Sequence, residues 1–187
     1  RIAVHKGFQE ADILEAAELA QRYRVPALKL YFMVGLPGET TADIMSIVSL
    51  VRAVAERFKG EISINATPFV PKAHTPFQWA AMASQEVLEE RIGLLAGELR
   101  AAGIGVHSDS AAWARVQGVL SRGDRRLGHV LAATKGKTSL RLWKRALREQ
   151  GLSEEAYLRP WPFTEPLPWS VVDMGVSEAF LRTEAER

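Results

Sequence analysis

Gly35-Leu36-Pro37-Gly38-Glu39-Thr40 places two glycines, a proline and a carboxylate in one tight turn, directly behind the apolar run Leu28 to Val34. Gly35 allows a sharp bend or a close approach to a ligand, Pro37 stiffens the turn, and Gly38 accepts a positive φ. Glu39 offers a carboxylate near the start of the following segment. In parallel α/β sheets, ligands bind beyond the carboxyl ends of the strands, and this turn lies at such an end. A second segment belongs to the same edge: Pro68 to Trp79, which carries His74, Phe69, Phe77 and Trp79, with Asn65 near the end of the strand before it.

The turn is not a phosphate loop, because the Lys of Gly-x-x-x-x-Gly-Lys is missing, and it is not the dinucleotide fingerprint Gly-x-Gly-x-x-Gly. Taken alone it favours a plain strand-to-helix connection capped by a threonine. The elements around it decide how much more it does. Gln9 to Tyr23 has helical apolar spacing through Ile13, Leu14, Ala17, Leu19 and Ala20. Leu28 to Val34 reads as a near-continuous buried strand, as parallel sheets require. Thr40 or Thr41 caps a helix whose stripe is Ile44, Ile47, Val48, Val51, Val54, Ala55 and Phe58, with Asp43 in its first turn. Ile62 to Thr67 alternates as a second strand. Ser84 to Ala102 is a third helix stopped by Gly103, and Ile104 to His107 is a candidate third strand.

This rhythm gives βαβ units and a parallel sheet, with too few strands for a closed eight-stranded barrel. From Ser108 the texture becomes helical, with segments at Ser110 to Ser121, Arg125 to Thr134, Ser139 to Gln150 and Glu154 to Leu158. A proline- and tryptophan-rich strap follows at Arg159 to Trp169, then a closing helix at Ser177 to Glu186. The division expected is 1–107 for the α/β part and 108–187 for the helical extension.

Hydrophobic residues at 47% and charged residues at 25% give a globular balance. No apolar run approaches the roughly 18 residues that cross a bilayer, so no membrane partner is expected. The absence of cysteine excludes disulfides, thiolate nucleophiles and a self-contained iron–sulfur site. It fits a reducing, cytoplasmic compartment. The start at Arg1, without Met or an export signal, reads as the start of a fragment.

Asn65 followed by Pro-Phe-Val-Pro-Lys-Ala-His-Thr-Pro-Phe, behind a unit whose turn is Gly-Leu-Pro-Gly-Glu-Thr, resembles the fifth and sixth strands of the radical S-adenosylmethionine (SAM) barrel. Val4-His5-Lys6-Gly7-Phe8 is similar to the Asn-Lys-Gly-Phe stretch after the fourth strand there, with His5 in place of Asn. The block from Trp113 to Leu127, containing Arg122-Gly123-Asp124-Arg125-Arg126, looks like the segment after the barrel in cobalamin-binding radical SAM proteins of unassigned substrate. Trp143, Gly151-Leu152, Tyr157-Leu158, Leu167-Pro168-Trp169, Val172 to Val176 and Phe180-Leu181 match that tail.

The resemblance implies an α/β fold, the rear part of a radical SAM partial barrel followed by a mainly helical C-terminal extension. It implies SAM and a 4Fe-4S cluster in a full-length parent, with cobalamin as a further cofactor there. The cluster's Cys-x-x-x-Cys-x-x-Cys and the rest of the N-terminal half are not in this chain. What remains is the adenosine side of the SAM site. Val34, Gly35 and Leu36 face adenine or ribose, Pro37, Gly38 and Glu39 shape the turn, and Asn65, Pro68 and Phe69 approach from the next strand end. His74 and Phe77 fall in the substrate loop, for a small molecule or an RNA. No catalytic residue or metal ligand is assigned, and the fragment is expected to be inactive alone.

His5, His74, His107 and His129 have no metal-ligand spacing; except for His74 they read as structural or solvated. Arg122 to Arg148 is locally basic, with Trp143 its single aromatic, and reads as a solvated helical face ahead of an RNA site. The Arg-Gly-Asp-Arg-Arg block reads as structural. A different class of protein is also open: a non-catalytic α/β-helical module that binds RNA or a partner protein. An unpaired edge near Leu28 to Val34 predicts a homodimer through the exposed barrel edge.

Overall fold

A computed structural model describes residues 7, 9–136 and 139–186. The Val4 to Phe8 stretch (Gly7 apart), with His5, and Lys137 lie outside the described residues. The fold is α/β, with a three-stranded parallel sheet and eight α-helices among the described residues. Packing divides the chain into two units, residues 1–68 with 86–109, and residues 69–85 with 110–187. The sequence division at 107/108 had grouped 69–85 with the strands.

In the first unit the order is α1 (Glu10–Arg22), β1 (Ala27–Val34), α2 (Thr41–Arg57), β2 (Glu61–Pro68), α3 (Gln85–Arg100) and β3 (Gly105–Ser108). The helices start where side chains close their first turns. At α2 the Thr40 N–H donates to Asp43 Oδ2 at 2.7 Å while the Thr40 side chain accepts the Asp43 N–H, a reciprocal cap. Gly103, at φ +72°, ends the turn after α3.

The strands lie in the order β1-β2-β3, in parallel register: Leu30 opposite Ile64, Tyr31 opposite Asn65, Val34 opposite Pro68, and Asn65 opposite His107. All three helices of the unit cover one face. Leu28, Leu30, Phe32 and Ile62 pack with Ala17, Ala20, Val54 and Phe58. Val34, Ile64, Ala66 and Ile104 pack with Ile44, Val48, Val51, Leu95 and Leu99. β1 is therefore not buried on both faces, and its burial alternates residue by residue. Lys29, Tyr31 and Met33 belong to the other face and are exposed. A parallel sheet covered on both sides would have produced the near-continuous burial that the sequence suggested.

The second unit contains a short 3₁₀ turn at Pro76–Trp79, α4 (Ala111–Arg122), α5 (Leu127–Thr134), α6 (Leu140–Glu149), α7 (Glu154–Leu158) and α8 (Glu178–Ala185). Helix α4 packs on α7, α5 on α6, and α8 on the 3₁₀ turn. The strap between α7 and α8 is held by its aromatics: Trp161, Leu167 and Trp169 are buried with Trp79 and Leu181. Burial of large rings offsets the ordering entropy of an extended segment.

Candidate functional site

The turn after β1 is closed by its own carboxylate. Gly35 has φ +90° and Gly38 φ +75°, conformations that favour glycine. The Gly35 N–H donates to Glu39 Oε1 at 2.8 Å. From α3, Arg91 Nη1 donates to the same oxygen at 2.9 Å and Nη2 to the Glu39 backbone carbonyl at 2.6 Å. The Glu39 side chain is only 5% exposed. Both carboxylate neighbours are thus internal, and Glu39 braces the turn. Asp43, at the foot of α2, is held below the usual carboxylate range by its hydrogen bonds to Thr40.

Within this unit the sequence-derived residues divide by orientation. Val34 is fully buried in the core and offers only backbone at the strand end. Gly35 is buried, Leu36 half-buried, and Pro37 and Gly38 are exposed. Pro68 is buried opposite Val34. Asn65 lies on the face opposite this unit's helices, where its Nδ2 donates to Thr67 Oγ1 at 3.2 Å.

Register adds two residues to Asn65: Tyr31, which the sequence did not single out, and His107, which it gave as structural or solvated. Tyr31 and His107 flank Asn65 on neighbouring strands in a single row across the sheet. Strand spacing of about 4.8 Å puts such a row within reach of one small ligand. Tyr31 is 69% exposed, and the Lys29 ammonium lies 5.3 Å from its ring centroid. The available signal was strand parity: every residue sharing Asn65's face shares its period of two. Arg91 carried no local signal at all.

Phe69, His74 and Phe77 belong to the second unit. Phe69 is buried and meets Phe77 edge-on at 5.0 Å between centroids. His74 adopts φ +56° and its N–H donates to Gln78 Oε1 at 3.1 Å. That oxygen also accepts the Trp169 Nε1–H at 2.6 Å, so the loop and the strap share one buried amide.

The Arg-Gly-Asp-Arg-Arg block is structural. Arg122 is 0% exposed, with Nη1 donating to the Ala80 carbonyl at 2.7 Å and Nη2 to the Arg159 carbonyl at 3.0 Å. Its guanidinium lies 5.7 Å from the Trp161 ring centroid. Burial, and then the nearby Arg159 charge, pull it down to about 10. Asp124 pairs with Arg126 at 2.7 Å and accepts from the Tyr157 hydroxyl at 3.4 Å.

An uncharacterized protein of Methanocaldococcus jannaschii is 36% identical to this chain over 138 residues, 73% of the chain and 30% of that protein. The chain therefore spans well under half the length of the relative it matches. No family model matches the chain, and no solved structure matches it.

The donor set bears directly on metals. The chain has no cysteine, and no three His, Asp or Glu side chains gather into a metal-holding group among the described residues. A thiolate-ligated cluster does not fit this chain. Among the described residues no helix is long and apolar enough to cross a membrane. An apolar groove of about 320 Å³ lies elsewhere, lined by Ile13, Ala16, Ala17, Leu28, Leu30 and Val54. It includes none of the turn residues. What the first unit presents is a braced backbone turn at a strand end and a row of exposed Tyr31, half-buried Asn65 and exposed His107 across the sheet.

Proposed function

We propose that this chain is the rear sector of a radical SAM partial barrel and contributes the adenosine side of the SAM site in a longer parent enzyme. The observation that carries the reading is the one-sided helix layer. Barrels carry helices only on the outside, whereas open doubly wound sheets carry them on both faces. In β1 to β3 every packed helix lies on the Leu30–Ile64 face, and the Tyr31–Asn65–His107 face corresponds to a barrel interior. The turn Gly35 to Glu39 then lies at the carboxyl end, where a barrel binds its ligand.

In such a parent an iron–sulfur cluster, held by residues outside this chain, would supply the electron for SAM cleavage. The residues present here hold and shape. Glu39 and Arg91 fix the turn, the backbone from Val34 to Gly38 borders the adenosine, and Asn65 offers its amide carbonyl to a hydroxyl or amino group. The relative extends far beyond the matched region, which leaves room for a cluster-binding half. The cytoplasm and a small-molecule or RNA substrate remain the setting proposed, with cobalamin a further cofactor of the parent.

The test uses the complete reading frame. Full-length protein, reconstituted with iron and sulfide without oxygen and reduced with SAM present, is expected to release 5′-deoxyadenosine. A reading frame without an upstream Cys-x-x-x-Cys-x-x-Cys, or no release, overturns the proposal. The 187-residue chain alone is expected to bind SAM weakly, and micromolar affinity by calorimetric titration would contradict half a site. On the same reading β1, an edge of the sheet, pairs with another strand in the parent and with a second copy in isolation. Light scattering that finds only monomer would count against that pairing.

A further inference from the structure

Charge along this chain is segregated. Arg122 to Arg148 contains nine Lys or Arg against one acid, in a chain whose total is only +2, so the remainder is net acidic. Helix α6 organises part of that charge. Arg141, Lys144, Arg145 and Arg148 fall within about a 100° arc at 3.6 residues per turn and extend over roughly 10 Å. All four are exposed, while Trp143, Ala146 and Leu147 on the opposite side are buried.

Stability does not account for this stripe. Arg141 stands in the first turn of α6, the end of a helix dipole that disfavours cations. Arg141 with Arg145, and Lys144 with Arg148, are like charges at i,i+4, each costing about 0.2–0.5 kcal/mol. Several arginines elsewhere are paired, as Arg52 is with Glu98, Arg91 with Glu39, Arg115 with Glu154 and Glu155, and Arg159 with Glu165. Among the described residues α6 makes one ion pair, Arg145 with Glu149 at 3.4 Å, on the solvent side. Arg141, Lys144 and Arg148 have no carboxylate partner among the described residues.

We propose that the outward face of α6 is a docking surface for the phosphate backbone of duplex nucleic acid. This holds independently of any SAM site. The partner is a polyanion of repeating charge, because four cations in a straight row suit successive phosphates. A membrane surface fits less well: the apolar side of α6 is spent on the protein's own core, leaving nothing to insert. Base stacking is also absent from the arrangement. Trp143, the aromatic of this stretch, is buried, with its Nε1–H donated to Glu154 at 3.1 Å. Recognition is therefore of the backbone and indifferent to sequence, and it favours a duplex, whose bases are already stacked.

The test is fluorescence anisotropy of the 187-residue chain with a labelled RNA duplex of about 20 base pairs, across a salt series. Affinity is expected to fall linearly in log–log form, with a slope near −3 for three or four phosphates. The variant R141E/K144E/R148E is expected to lose at least about tenfold in affinity at low salt, with unchanged circular dichroism. R141Q/K144Q/R148Q serves if charge reversal disturbs the fold, and is expected to flatten the slope. No binding at low salt, or a triple variant that binds like the parent, overturns the proposal. So does tighter binding to vesicles of anionic phospholipid, or to single-stranded oligo(U), than to the duplex.

Discussion

The Glu39 carboxylate accepts the Gly35 N–H at 2.8 Å, so the turn that follows β1 is locked by the residue that ends it. Arg91 holds the same oxygen at 2.9 Å. Glu39→Ala leaves the Gly35 N–H and Arg91 Nη1 without their acceptor and is expected to cost about 1–3 kcal/mol. Glu39→Gln keeps an acceptor and should cost less. Hydrogen exchange at the Gly35 amide is the direct readout. Unchanged protection in Glu39→Ala would show that the bond does not hold the turn.

Arg122 makes its contribution as a buried fork between two carbonyls. Arg122→Ala leaves the Ala80 and Arg159 carbonyls unpaired beside a cavity, with an expected loss of about 3 kcal/mol or more. All five tryptophans lie in the second unit, so urea unfolding followed by tryptophan fluorescence reports on this unit. A midpoint unchanged from the parent would contradict the role given to Arg122.

Asp124 supplies a pH dependence. Its hydrogen bonds from Arg126 hold its carboxyl below the usual carboxylate range. A depressed folded-state value stabilises the fold above the ordinary carboxylate value near 4 and is lost as pH falls below it. Because Arg126 is largely exposed, solvent screening keeps the pair's contribution at neutral pH small. Asp124→Asn should therefore unfold earlier than the parent at pH 7, with the gap narrowing as pH falls below the ordinary carboxylate value. Asp43 and Glu165 are lowered too, which is why the comparison is parent against variant. A gap that widens on acidification would reverse the assignment.

The Trp169 Nε1–H donates to Gln78 Oε1 at 2.6 Å inside the aromatic cluster. Trp169→Phe keeps the ring packing and should cost about 1–2 kcal/mol, because Gln78 still accepts from His74. Trp169→Ala should cost about 3–5 kcal/mol and free the strap. Limited proteolysis with thermolysin is then expected to cut between Pro160 and Ser177. Equal cleavage of parent and variant would mean that Trp169 is not an anchor.

Local chemistry was readable in the sequence. A threonine cap at Thr40 or Thr41, both long strands and α7 follow from residues a few positions apart, whereas the bond from the Thr40 N–H to Asp43 was not read. The two-faced character of β1 was hidden, because Tyr31 and Met33 are as apolar in type as the Leu30 and Phe32 that the helices cover. The brace on the turn joins residues 52 apart, and the Gln78–Trp169 bond joins residues 91 apart. Pairings at such separation leave no periodic trace. The basic character of α6 was visible, but its lack of counter-ions was not, since pairing depends on what folds beside it.

The one-sided sheet also separates two kinds of constraint by the parity of a residue's position. In β1 and β2, even-numbered positions such as 30, 32, 62 and 64 answer to the helices, while 29, 31, 63 and 65 answer to whatever the open face meets. Substitution at the second set spares the core that the helices cover, so this half of each strand can change ligand at a smaller cost in stability. A saturation scan of β1 and β2 that scores folding alone should alternate with a period of two.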